Sequence, residues 1–128
     1  MDFDFAVIRR QYDRAVNVES WGATSGWSWD AAETQWMQLR SSFPTAVFAI
    51  HHQIGREDPH MPTRAAVRWS LTGTHSGSGW FGPATGAEVH IMGITHAEWG
   101  ERGLVRREFT VLDEVAVWKQ IHLHTLAY

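Results

Sequence analysis

Val67-Arg68-Trp69-Ser70-Leu71-Thr72-Gly73-Thr74-His75-Ser76-Gly77 reads as strand for eight residues and as turn thereafter. β-Branched and aromatic side chains favour the extended chain, and the glycines that follow break it. Working outward, the strand spans Arg64 to Thr74, and a glycine-rich connection, Gly77 to Gly86, leads to another from Glu88 to Trp99. Gly100-Glu101-Arg102-Gly103 is a hairpin turn with glycine where positive φ is wanted, and the next strand is Leu104 to Leu112. Upstream, the turn-forming stretch Arg56 to Pro62 joins this set to a strand at Ala46 to Ile54. Long strands one turn apart predict an antiparallel sheet.

The flanks are helical. Ser28 is placed to cap a helix from Trp29 to about Ser42, whose Trp29, Ala32, Trp36 and Leu39 recur at three- and four-residue steps, and Pro44 ends it. Ahead of it lie a two-turn helix from Phe5 to Tyr12, capped by Asp2 or Asp4, a brief strand from Ala15 to Glu19, and a loop from Trp21 to Gly26 broken at Gly22 and Gly26. Asp113 to about Gln120 is a last helix, and His122 to Leu126 is ambiguous. Helices first and long strands after predict an α+β chain, with residues 1–128 as one domain.

Composition narrows the task. The 128 residues carry 11 Lys+Arg against 14 Asp+Glu, a net charge of −3, and the basic residues are scattered. No basic stripe exists, so no nucleic-acid partner is expected. No apolar run approaches the roughly 20 residues that span a bilayer, so no membrane role is expected. Met1-Asp2-Phe3-Asp4 is acidic where a signal peptide is basic, so a soluble, cytoplasmic protein is expected. The absence of cysteine excludes disulfides, thiolate nucleophiles and Cys-based zinc sites.

Two apparent motifs carry little. Gly77-Ser78-Gly79-Trp80-Phe81-Gly82 has the letters of a dinucleotide fingerprint, but Pro83, Thr85 and Gly86 leave no room for the helix it requires. His122 and His124 would share a strand face, yet no carboxylate cluster or His-Glu-x-x-His spacing accompanies them, so no metal is expected. No Gly-x-Ser-x-Gly elbow is present. The eight tryptophans are more telling. Trp36, Trp69, Trp99 and Trp118 sit in apolar patterns and read as packing, while Trp21, Trp27, Trp29 and Trp80 lie in or beside loops and could wall an apolar pocket.

The 67–77 run, then Gly82-Pro83-Ala84-Thr85-Gly86, Ile91-Met92-Gly93-Ile94, Gly103 to Phe109, and Asp113 ahead of Trp118-Lys119-Gln120-Ile121 together resemble the SnoaL-like polyketide cyclase family, of the nuclear-transport-factor-2-like (cystatin-like) superfamily. The resemblance is good over residues 64–121 and looser over 5–44. It implies a cone-shaped, curved, mixed/antiparallel sheet with N-terminal helices packed on its concave face. Two departures stand out: Phe109 replaces the family's more usual Trp, and only Phe5–Tyr12 precedes the first strand where the family has a long helix. The mouth of the cone is then either open or closed by a neighbouring subunit.

The resemblance also implies chemistry: an intramolecular aldol closure in which a carboxylate, placed on Asp113, removes a proton from activated carbon. A carboxylate in an apolar cone has a raised pKa suited to a base, and hydrogen bonds to the enolate oxygen replace any metal or cofactor. His75 and Arg68 are the candidates for that second role. Asp113 fits a helix cap equally, His75 a backbone-bonding turn, and Arg68 an ion pair with Glu108. Tyr12 is placed to reach the cavity floor, and Met92 and His96, sharing one strand face, to line a pocket with Trp80. Parity puts Asp113, Val111 and Phe109 on one face, inward if Asp113 is inward, leaving Glu108 and Arg106 outward on a homodimer surface. Two other functions fit the same cone: a catalytically silent binder of a small apolar ligand, and a structural dimerisation module.

Overall fold

The protein is described by a computed structural model covering residues 5–21 and 24–127. Its elements are α1 (Phe5–Gln11), β1 (Tyr12–Ser20), β2 (Thr24–Trp27), α2 (Ser28–Ser42), β3 (Val47–Arg56), β4 (Arg64–Thr74), β5 (Glu88–Trp99), β6 (Val105–Leu112) and α3 (Glu114–Ala127). The strands form one six-stranded sheet in the order β2-β1-β6-β5-β4-β3. Four of the five pairings are antiparallel, and β1 runs parallel to β6. The expected α+β cone with a mixed sheet is the fold observed.

Most element boundaries fall within two residues of those read from the sequence, and the exceptions have local causes. Ser28 does not cap α2: it adopts φ 85°, and Trp27 precedes the helix with no side-chain cap. Thr24–Trp27 is a strand rather than a loop, because its backbone pairs with Asn17–Ser20. α3 runs on through His122 and His124 to Ala127. The Asp2 and Asp4 caps and the Gly22 break lie outside the described residues.

Two apolar clusters hold the layers together. The larger joins Leu39 and Phe43 of α2 and its end, Trp69 and Leu71 of β4, Val89 and Ile91 of β5, and Val117 and Ile121 of α3. The smaller gathers Ile8, Val16, Val18, Ala32 and Val105 under α1. The helices therefore cover one face of the sheet. Gly93 is needed there, because the Trp69 indole lies across it and a Cβ would stand 2.2 Å from the ring. α3 completes β5 where β6 has ended: the Gln120 amide accepts from His90 N–H at 2.8 Å and donates to His90 C=O at 3.0 Å. Backbone groups that lack a strand partner are thus satisfied by a side chain.

Candidate functional site

A carboxyl group lies inside the sheet's covered face. Glu108 of β6 is 2% exposed, and no cationic side chain pairs with it among the described residues. Tyr12 Oη donates to Glu108 Oε1 at 2.6 Å, and Gln35 Nε2 donates to Glu108 Oε2 at 3.1 Å. Ser20 Oγ donates to Gln35 Oε1. The four side chains form one line from β6 through α2 to the end of β1.

Burial dominates the electrostatics. Desolvation pushes the Glu108 carboxyl above its ordinary value, and hydrogen bonds from Tyr12, Gln35 and Trp36 pull part of the way back. Burial first, and then the Glu108 charge, push the Tyr12 hydroxyl up, so it remains a donor. With Glu108 ionised, the Gln35 NH2 faces the carboxylate, which then only accepts, and the Gln35 carbonyl faces Ser20. An isolated carboxyl in apolar surroundings with a perturbed pKa marks a candidate site, although buried networks also arise for structural reasons.

The outer end of that line opens on a cleft of about 340 Å³ between α2 and the β1–β2 hairpin. Ser20, Trp21, Asp30, Gln35, Gln38 and Trp80 are among its lining residues, and Asp30 alone of the described ones is charged. Trp21 and Trp80 meet edge to face at 6.4 Å, and Trp80 Nε1 donates to Glu114 Oε1 at 2.9 Å. Behind Trp21 the interior is filled by indoles, Trp21 against Trp36 at 6.2 Å and Trp36 against Trp69 at 5.9 Å. The hollow expected along the cone axis is therefore occupied, and the space that remains lies to one side.

The residues singled out from the sequence separate into four places. Tyr12 and Trp80 belong to the network and the cleft. Asp113 is exposed, and its Oδ1 accepts from Ala116 N–H at 3.0 Å, so the side chain caps α3. His75 is 0% exposed and lies beneath the 76–86 loop, away from the cleft. Arg68, Met92, His96 and Phe109 share the uncovered face of the sheet: Arg68 stands opposite Ile94, His96 opposite Phe109 with rings 5.8 Å apart, and Met92 is 57% exposed. Arg68 and Glu108 thus lie on opposite faces, with β5 between their strands.

The parity expected for β6 is reversed. Glu108 and Thr110 are buried, whereas Val111 is 61% exposed. The β5–β6 register slips between Glu98 and Trp99 of β5, and the β1–β6 register between Tyr12 and Asn17 of β1. Pointing Asp113 and the apolar Phe109 and Val111 inward misled the assignment. The missed signal is Arg106-Arg107-Glu108, three charged residues in a row on one strand, of which alternation must bury at least one.

Comparison with known proteins agrees with this architecture. The chain superposes on a candidate SnoaL-like polyketide cyclase from a Jannaschia species with TM-score 0.80 at 19% identity, covering 91% of this chain and 77% of that one. It is similar to IdmH, a candidate polyketide cyclase from Streptomyces antibioticus, with TM-score 0.74 at 17% identity, covering 93% of this chain and 87% of the other. It is also similar to AclR, a candidate hydroxylase from Streptomyces galilaeus, with TM-score 0.74 at 18% identity, covering 94% of this chain and 72% of the other. No curated protein matches by sequence. The SnoaL-like polyketide cyclase family model matches residues 4–121, and with nearly the whole chain inside that match, this protein belongs to the SnoaL-like polyketide cyclase family.

Proposed function

We propose that this chain takes a flat, largely apolar, uncharged small molecule into the Trp21–Trp80 cleft and holds it through a hydrogen-bond donor on the ligand, such as an enol or phenol hydroxyl. One observation carries this reading: the polar floor of the cleft is fixed from behind. Glu108 draws the Gln35 NH2 inward, and the Ser20 proton is committed to the Gln35 carbonyl. Ser20 Oγ and Gln35 Oε1 keep lone pairs for a donor on the ligand, and the second Gln35 N–H with the Ser25, Thr34 and Gln38 side chains adds further polar groups to the lining. The cleft volume lies at the small end of the range for ligand sites, about 300–1,000 Å³. Asp30 at its wall, with no lining Arg, Lys or His among the described residues, disfavours an anion.

A second reading is favoured by the raised pKa of Glu108. Aldol-type cyclisation needs a base to take a proton from carbon beside a carbonyl, and a desolvated carboxylate with two donors is matched to that work. Glu108 then replaces Asp113 in the role suggested by family resemblance. Gln35 stands between Glu108 and the cleft, so its amide must swing aside for the carboxylate to meet substrate. Cyclase and hydroxylase candidates share this fold, so the site rather than the fold decides between the two readings.

Ethyl 2-naphthoylacetate, a flat β-keto ester with an enol form, tests both. Saturable quenching of tryptophan fluorescence that is lost in Trp80→Ala and weakened in Gln35→Leu supports the cleft; no saturation, or unchanged affinity in both variants, contradicts it. Deuterium exchange at the ester's α-carbon, followed by NMR, separates binder from catalyst. Acceleration by the wild type but not by Glu108→Gln identifies the base, and equal rates leave binding alone.

The uncovered face of the sheet supports pairing of two copies, through Met92, Ile94 and Val111, with Ile94 and Val111 directly opposite each other. A contiguous exposed apolar patch of this kind marks an interaction surface.

A further inference from the structure

His75 is buried, titratable and absent from the cleft, and its surroundings assign it a task. It closes β4, and its backbone holds both ends of the 76–86 loop. His75 N–H donates to Ala87 C=O at 2.7 Å, while His75 C=O accepts from Thr85 N–H at 3.1 Å and Gly86 N–H at 2.9 Å. The ring adds a side-chain bond, Nδ1 to Thr85 Oγ1 at 2.9 Å, and packs 5.4 Å from Phe43, which in turn meets Phe81 at 5.8 Å. Nε2 is fully buried without a hydrogen-bond partner among the described residues.

The loop held at this neck is docked tightly. Gly77 N–H donates to Ser42 C=O at 3.2 Å, and a Cβ on Gly79 would stand 2.6 Å from the Gln38 carbonyl oxygen. Backbone thus lies directly on the end of α2, where no side chain fits. Trp80, next in sequence, is thereby set as a wall of the cleft. Resting on the cleft reading above, we infer that His75 is the positioning residue for that wall: as a neutral imidazole it staples the 76–86 loop with Trp80 in place, and a proton on the ring releases the loop.

The physical reason is the orphan nitrogen. A protonated ring needs an acceptor at each nitrogen: Thr85 Oγ1 serves Nδ1, whereas no acceptor among the described residues meets Nε2 in bonding geometry, and the Gly82 carbonyl offsets the burial only in part. Desolvation accordingly holds the imidazole below its ordinary 6.5, with only the Gly82 carbonyl acting in the opposite sense. On the neighbouring elements the charged or titratable groups are Arg40, bonded to Phe43 C=O, Glu88, bonded to Thr74, Glu114, bonded to Trp80, and His124 beside Gly86. None of them contributes to the His75 shift. The neutral ring therefore gives stability that is fully present above about pH 6.5 and is lost as pH falls through the depressed value.

Native-state hydrogen exchange of the intact chain, compared at about pH 8 and about pH 5 after correction for intrinsic rates, reads the staple without any ligand. Protection of the Gly77, Thr85 and Gly86 amides is expected to fall about tenfold or more on acidification, while the β4–β5 amides hold. In His75→Asn, which offers a short amide to Thr85 and does not titrate, loop protection should not depend on pH. Constant protection in the wild type, loss of protection throughout the sheet, or the same pH dependence in His75→Asn would each overturn the inference. Affinity for ethyl 2-naphthoylacetate should weaken over the same interval in the wild type only. A chain that never binds the ester yet loosens through His75 refutes the cleft and leaves the staple standing.

Discussion

Glu108 carries a carboxyl into the interior with no cation paired to it among the described residues, and Tyr12 and Gln35 donate to it. The energetic consequence has a definite sign. A carboxyl whose folded-state pKa is raised above 4.5 gives stability that is fully present below about pH 4.5 and is lost as pH rises through the folded value. Glu108→Gln, which keeps an acceptor for Tyr12, escapes that loss. Its unfolding free energy should rise relative to the wild type as pH increases, at a rate approaching about 1.4 kcal/mol per pH unit within the window. Thermal denaturation across pH checks this, and a relative gain that grows toward acid would mean that the carboxylate, not the acid, is the form the fold prefers. The sequence concealed this residue, since a glutamate beside two arginines reads as solvent-facing. Tyr12 and Trp80, read from the sequence as lining residues, stand in the Glu108 network and at the cleft.

At the scale of elements, α3 shows why a motif aspartate does not locate a base. Asp113 is exposed and caps the helix through Ala116 N–H, a role that an N-terminal aspartate fills by itself. Asp113→Ala should cost about 1 kcal/mol in chemical denaturation and leave ester affinity unchanged. A large loss of affinity with unchanged stability would return Asp113 to the site. The sheet makes a second commitment at the β4–β5 pair, where Trp69 lies across Gly93. Gly93→Ala should destabilise by about 1–3 kcal/mol through overpacking, and a neutral result in thermal denaturation would show that Trp69 has room to move. Strand existence was plain from alternation and glycine punctuation. β2 was not, because Thr24-Ser25-Gly26-Trp27 has no apolar period and becomes a strand only by pairing with β1. The facing of β6 was not either, since an apolar-inward reading turns Phe109 and Val111 to the core and passes over the charged run Arg106-Arg107-Glu108.

For the molecule as a whole, the helices leave one face of the sheet bare, and that face carries Met92, Ile94 and Val111. Light scattering should give twice the chain mass at micromolar concentration, and Ile94→Asp should halve it by placing an unpaired charge in the interface. A wild-type monomer under those conditions would contradict pairing through this face. Inward-facing Glu108 and outward-facing Val111 are two consequences of one strand orientation, so the bare apolar face and the candidate site are fixed together. The central claim concerns the other face, where Ser20, Gln35, Trp21 and Trp80 make a cleft backed by Glu108. Heteronuclear NMR of the indole and glutamine side-chain N–H groups during titration with ethyl 2-naphthoylacetate tests it most directly. The account predicts saturable shifts at Trp21, Trp80 and Gln35 while Trp99 and Trp118 stay still; shifts that avoid Trp80 and Gln35, or none at saturating ester, would contradict it.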